Sequence, residues 1–240
     1  MAPTVLFLHN DPTAPEALLG DAFTDLGFDV DTFCVVPAEH AEAPAIEVTF
    51  PDPRAYDVIV PLGARWPVYD DALRAAWVGA ETAMLRDAAA AGVALLGVCF
   101  GGQLIAQAFG GSVCRSPEPE IGWCEVRSER PDLIPPGPWF EWHFDRWTVP
   151  PGAVEIAGTA HASQAFVLDR ALALQFHPEV DRALVADWLA DDRDGDALRM
   201  GLDHDELLAV TDELQPDAAE RLHRLVGGFL SYVSSVPCPS

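Results

Sequence analysis

The stretch that most restricts how this chain can fold is Gly92 to Gly111, GVALLGVCFGGQLIAQAFGG. Val93 to Val98 is a short, continuous apolar run, the pattern of a strand buried on both faces. After Cys99, Phe100, Gly101 and Gly102, apolar residues recur at helical spacing (Leu104, Ile105, Ala108, Phe109), which predicts a helix. Cys99 therefore stands where a buried strand turns abruptly into a helix. Gly97, Gly101 and Gly102 remove the Cβ atoms that would obstruct such a turn. A turn of this kind holds one side chain clear of the sheet. A thiol there also meets the free N–H groups and partial positive charge of the helix N-terminus, which favour thiolate. On this segment alone, a reactive thiol and an inert buried cysteine are equally open readings.

The remainder of the chain supplies the sheet that such a turn needs. Thr4–His9, Phe28–Val36 and Asp57–Pro61 read as strands, and amphipathic helices are expected after Pro15 and from Asp70 to Ala91. Strands alternating with helices predict an α/β fold, a doubly wound and mostly parallel sheet with helices on both faces. Ligands in such sheets bind beyond the carboxyl ends of the strands. A second apolar run, Ala171 to Phe176, ends in His177-Pro178-Glu179 at one such end. Pro178 fixes the local backbone, and the i, i+2 spacing points His177 and Glu179 the same way in extended chain. A carboxylate beside an imidazole holds its tautomer and stabilises the imidazolium, the orienting role in a nucleophile–base–acid triad.

Cys99-Phe100-Gly101-Gly102-Gln103 and His177-Pro178-Glu179 together resemble the class I (triad) glutamine amidotransferases, in which Cys-x-Gly-x-Gln follows a strand and His-Pro-Glu closes the triad. The resemblance runs from about Thr4 to Leu189. It implies a flavodoxin-like fold, with Cys99 as nucleophile, His177 as base and Glu179 as its orienting acid. It also implies an oxyanion hole of backbone N–H groups from Phe100 and from Ala64 or its neighbour Gly63. In Leu62-Gly63-Ala64-Arg65 the family's second Gly is replaced by Ala and its Pro by Arg. A backbone donor survives Gly→Ala unless the position needs φ > 0. Arg65 has two readings, a pocket-rim group for a substrate carboxylate and a solvated surface residue. Ser163-Gln164-Ala165-Phe166 resembles the loop that meets the α-carboxylate and α-amine of glutamine, largely through backbone groups, with Gln103 contributing from the other side. Trp139 to Asp145 alternates, placing Trp139, Glu141, His143 and Asp145 on one face. His143-x-Asp145 lacks a third ligand at metal spacing and reads as structural or pocket-edge.

Composition bounds the partners. With 38 acidic residues against 14 basic ones, all Arg, the net charge is −24. That field repels phosphate backbones, so nucleic acid is not expected as a partner. Five cysteines without C-x-x-C or metal spacing, and an N-terminus without a basic leader, predict free thiols in a cytoplasmic protein. The apolar stretch Ala88–Gly111 is broken by Gln103, Gln107 and two Gly-Gly pairs, so it reads as strand and helix rather than a membrane span. Residues 1–190 are expected to form the amidotransferase-like domain and 191–240 an acidic helical extension packed on it. That extension reads as two helices, Asp203–Leu214 and Pro216–Val233, the second with an apolar stripe of Leu222, Leu225, Val226, Phe229 and Leu230.

The expected activity is cysteine-triad hydrolysis of the glutamine side-chain amide through a thioester, with no metal and no organic cofactor. Glutamate and ammonia are the products, the ammonia serving a separate synthetase subunit. Two alternatives stay open: a free-standing γ-glutamyl peptide hydrolase, and a non-catalytic regulatory subunit of the same fold.

Overall fold

The first apolar run forms strand β1 (Thr4–His9), whose residues alternate between two cores. Val5 and Phe7 enter one and Leu6 and Leu8 the other. A strand buried on both faces must lie inside a sheet. β1 sits between β2 (Asp29–Cys34) and β3 (Val58–Pro61), parallel to both. β4 (Ala94–Val98) follows β3, and β9 (Ala171–Leu174) follows β4 with Val98 opposite Leu174. That register brings the ends of β4 and β9 to the same edge, one residue before Cys99 and three before His177.

Beyond β9 the pairing becomes antiparallel, through β8 (Ser163–Leu168), β7 (Val154–Gly158), β5 (Val113–Ser128) and β6 (Gly137–Trp147). The sheet order is β2-β1-β3-β4-β9-β8-β7-β5-β6. Only the half carrying Cys99 and His177 is parallel. The antiparallel half is larger than the sequence pattern suggests, because Val113–Ser128 is one 16-residue strand instead of several short ones. Its register shifts between Arg115 and Glu120, where Pro117 and Pro119 cannot donate to a ladder.

The computed structural model describes residues 2–192 and 195–238. On one face of the sheet, α1 (Ala17–Asp25) supplies Leu19 and Phe23, and α7 (His204–Ser235) supplies Leu222, Leu225, Val226 and Phe229. On the other face lie α2 (Asp71–Leu73), a π-helical segment Arg74–Val78, α3 (Gly79–Ala90) and α4 (Phe100–Ala108). The Asp70 carboxylate caps this run by accepting the Leu73 N–H at 3.0 Å. α5 (Arg182–Asp191) and the short α6 (Asp196–Arg199) follow β9 over the cleft.

The expected break at Gln215-Pro216 is absent: α7 runs through Pro216 as one helix. A proline inside a helix costs about 3 kcal/mol. Leu207, Thr211, Ala218 and Leu222 carry the buried stripe across it, and each large apolar side chain buried contributes about 1.5–3 kcal/mol. The Arg182 guanidinium donates to Asp212 at 2.9 Å and its backbone N–H to the Gln215 side chain at 3.1 Å, clamping α5 to the turn before the proline. The stripe expected on this helix is therefore core. Among the described residues no helix is long and apolar enough to cross a membrane.

Candidate active site

The turn after β4 is as sharp as its glycines suggest. Cys99 has φ 50° and ψ −108°, a positive φ outside the regions an L-residue prefers, and its N–H is tied to Leu174 O at 2.7 Å. A Cβ on Gly97 would stand 2.6 Å from Gly101 O, and one on Gly101 would run into the Pro61 carbonyl. Strand and helix can approach this closely only without those side chains. The strained residue thus projects its sulfur over the carboxyl edge of the sheet, at the N-terminus of α4.

Three residues beyond β9, the His177 N–H donates to Phe140 O at 2.7 Å, which anchors the imidazole to β6. Nδ1 of His177 lies 2.7 Å from Oε1 of Glu179, and both side chains are buried. Nδ1 is occupied by the carboxylate, so the other nitrogen, Nε2, is the one left to face Cys99. Burial opposes charging the ring, but the Glu179 carboxylate and the Cys99 sulfur overcome it and hold the His177 pKa well above the ordinary imidazole value. Trp188 of α5 packs edge-on against the ring at 4.8 Å and donates its indole N–H to Thr13 O at 2.7 Å, closing one side.

One cleft of about 450 Å³ holds Cys99, His177, Gly63, Ala64 and Gln103, and its walls include His143, Asp145 and Trp188. Gly63 abuts the imidazole, where an added Cβ would stand 3.1 Å from His177 Cε1. Ala64 is absent from the few non-glycine residues with positive φ among those described, so alanine sits there without strain. Phe100 turns its side chain away, onto Trp77 at 5.7 Å, so only its backbone is turned toward the thiol end of α4.

The other expected contacts divide. Gln103 lines the cleft, its amide 3.4 Å from Asp145 O and from Gln175 Oε1. Gln164, Ala165 and Phe166 are fully buried in β8 and do not line the cleft. The Gln164 amide donates to Glu120 Oε2 at 2.9 Å, and Phe166 packs against Trp147 at 5.4 Å. Arg65 lines the rim, but its guanidinium is already held: Nε lies 2.8 Å from Asp11, Nη1 2.7 Å from Asp191, and Nη2 donates to Thr13 at 2.8 Å. Of the two readings of Arg65, pocket-rim group or surface residue, the structure places it at the rim with its guanidinium already engaged by two acids.

Two contacts escaped the sequence reading. Gln175 places its amide 3.7 Å from Cys99 Sγ; its one trace in the sequence is a lone polar residue in a fully apolar strand. Glu120 and Glu141 both stand 3.3 Å from Nε2 of His143, whose Nδ1 donates to Asp145 O at 3.0 Å. Burial pushes the Glu141 carboxyl up to about 7, although His143 opposes the shift. Burial works against a charged His143, and its two carboxylate neighbours overcome that and raise its pKa.

A strained cysteine at a strand–helix turn and a histidine–glutamate pair beyond the neighbouring parallel strand thus share one cleft. The family model for class-I glutamine amidotransferases matches residues 57–184, more than half of the chain. The protein belongs to the class-I glutamine amidotransferase family, generally enzymes that hydrolyse glutamine. The glutamine-hydrolysing GMP synthase of Aeropyrum pernix is 32% identical over 113 residues, 41% of this chain and 22% of that protein. The GMP synthase of Ralstonia pickettii is 31% identical over 181 residues, 59% of this chain and 33% of that protein. The chain thus spans between about a fifth and a third of these curated relatives. The fold matches a glutamine amidotransferase from Thermotoga maritima with a TM-score of 0.82 at 22% identity, covering 96% of this chain and 99% of that one. A second, from Methylobacillus flagellatus, matches with a TM-score of 0.81 at 22% identity over 96% and 95%.

Proposed function

We propose that the protein hydrolyses the side-chain amide of glutamine through a thioester on Cys99. The observation that carries this reading is the pairing of a strained Cys99 with a His177 already bound to Glu179, in one cleft. The Cys99 sulfur attacks the amide carbon, and the tetrahedral oxygen takes backbone N–H groups of Phe100 and of Gly63 or Ala64. The His177 imidazolium gives its proton to the departing nitrogen, so the C–N bond breaks and ammonia leaves. His177 then takes a proton from water, which attacks the thioester and releases glutamate, restoring the sulfur. Glu179 holds the ring tautomer throughout.

The likeness to glutamine-hydrolysing GMP synthases supports ammonia delivery to a synthetase partner. A second reading, a free-standing γ-glutamyl hydrolase, is favoured by the cleft volume of about 450 Å³, a size that takes ligands larger than glutamine. Assaying glutamate release from glutamine and from γ-glutamyl dipeptides, alone and with a synthetase domain added, separates the two. Failure of Cys99 to react with a glutamine-like affinity label, in a protein that also releases no glutamate, would sink both and leave the regulatory-subunit reading.

A further inference from the structure

Among the described residues, the cleft is lined by five aspartates (Asp11, Asp145, Asp191, Asp192, Asp196) and two arginines, Arg65 and Arg115. The two arginines are in opposite states. Arg65 is bound to Asp11, Asp191 and Thr13. Arg115, on β5, is exposed and forms no ion pair or side-chain hydrogen bond with any described residue; its guanidinium lies over the Phe144 ring, 4.4 Å from the ring centre. Asp145 is its cross-strand partner, yet the Asp145 carboxylate takes the Tyr69 hydroxyl at 3.0 Å instead. In a chain with nearly three acids per base, an arginine in the cleft that holds Cys99, without a carboxylate partner among the described residues, is an exception to the surrounding charge.

We propose that Arg115 reads a carboxylate of the substrate, the group that the aspartate-lined cleft would otherwise repel. The Phe144 ring holds the guanidinium by a cation–π contact that uses none of its N–H groups in a side-chain hydrogen bond, which leaves them for a bidentate carboxylate contact. The inference rests on the proposed γ-glutamyl amide chemistry. That carboxylate has two sources: the α-carboxylate of the glutamyl unit, or a carboxylate on the leaving amine of a γ-glutamyl peptide. Asp192 does not compete for it, because its carboxylate accepts the N–H groups of Asp196 and Ala197 at 2.8 and 3.0 Å.

The test uses the full chain with Cys99→Ala, so that ligands bind without turnover. Calorimetry measures binding of L-glutamine, L-glutamine α-amide and γ-glutamylglycine, with Arg115 intact, Arg115→Ala and Arg115→Lys; melting curves check that each variant folds. A lost charge-assisted contact at an exposed site is expected to weaken binding about tenfold. If the α-carboxylate is read, Arg115→Ala weakens glutamine and γ-glutamylglycine and spares the α-amide. If the leaving-group carboxylate is read, only γ-glutamylglycine weakens. Arg115→Lys, which keeps the charge but loses the fork, should fall between. Unchanged binding of all three ligands overturns the inference, and so does an equal loss for glutamine and its α-amide. A Cys99-intact protein that fails to turn over ligands bound in this Arg115-dependent way sinks the proposed activity alone. A protein that binds none of the three sinks both.

Discussion

His177 and His143 line the same cleft, both buried and both beside carboxylates, yet they are built for different work. His177 commits Nδ1 to one carboxylate and keeps Nε2 for the thiol. His143 bonds the Asp145 carbonyl through Nδ1, while its Nε2 stands 3.3 Å from two carboxylates as an ion-pair contact. Glu120 in turn takes the Thr159 hydroxyl at 3.0 Å and the Gln164 amide, so His143 is the centre of a buried tie joining β5, β6, β8 and the loop before β8. A histidine moves protons only if one nitrogen can change partners during the reaction. A carboxylate neighbour alone therefore does not tell the two histidines apart; what differs is that His177 has the Cys99 sulfur beside it, whereas His143 stands between two carboxylates and a backbone carbonyl.

The largest effect that can test this contrast is loss of the nucleophile or its base. Cys99→Ala and His177→Asn should each lower glutamate release by at least about 10⁴-fold, with little change in melting temperature. His143→Gln should reverse that pattern. Removing the cation leaves two buried carboxylates facing each other, and breaking such a cluster costs about 3–5 kcal/mol. If His143→Gln instead loses turnover as fully as His177→Asn at an unchanged melting temperature, the assignment of roles is wrong.

Next in size is Glu179→Gln. The amide can still hold the ring but stabilises the imidazolium less, so kcat should fall by about 10²–10⁴-fold, short of the Cys99→Ala loss. An equal loss would give Glu179 more than an orienting role. Rapid kinetics on the two variants decides it.

The pH dependence of stability sharpens the comparison further. Burial raises Glu141 to about 7 and Glu81, behind the cleft on α3, to about 8. The folded chain therefore holds those protons where the unfolded chain has lost them, and stability falls as pH rises from about 4.5 towards 7 or 8. His143 and His177, both raised, add stability that is complete below about 6.5 and is lost as pH climbs through their folded values. Melting temperature should thus decline steadily from mildly acidic to alkaline pH, and Glu81→Gln should flatten the part below about 8. A curve that is already flat in the native protein, or unaltered by Glu81→Gln, contradicts the buried neutral acid. The smallest effect is that of salt: with a net charge of −24, raising ionic strength to physiological levels should lift the melting temperature slightly by screening self-repulsion.

Much of this protein was legible in the chain because it rests on short-range pattern. Gly97, Gly101 and Gly102 around Cys99 allow one sharp turn, and the apolar runs before Cys99 and His177 allow only buried strands, so the thiol and the histidine–glutamate pair were visible as candidates. Pro216 misled for the same reason. It signals a helix boundary locally, whereas the stripe that carries α7 past it is buried against strands far away in sequence. The Ser163–Phe166 segment matched a family pattern, but the face its side chains take is set by pairing with β9 and by Glu120 on a distant strand.

By itself, then, the sequence determined the strand–helix turn, the residue types of the candidate triad and the α/β class, all properties of contiguous residues and their periodicity. Tertiary structure alone decided which charges remain free. Arg65 meets Asp11 and Asp191 only because the turn after β3, the loop after β1 and the end of α5 converge at one sheet edge, while Arg115 meets an aromatic ring and, among the described residues, no acid. Whether an ionic group is spent or available depends on atoms brought within a few ångströms across large sequence separations, and no local pattern encodes that distance.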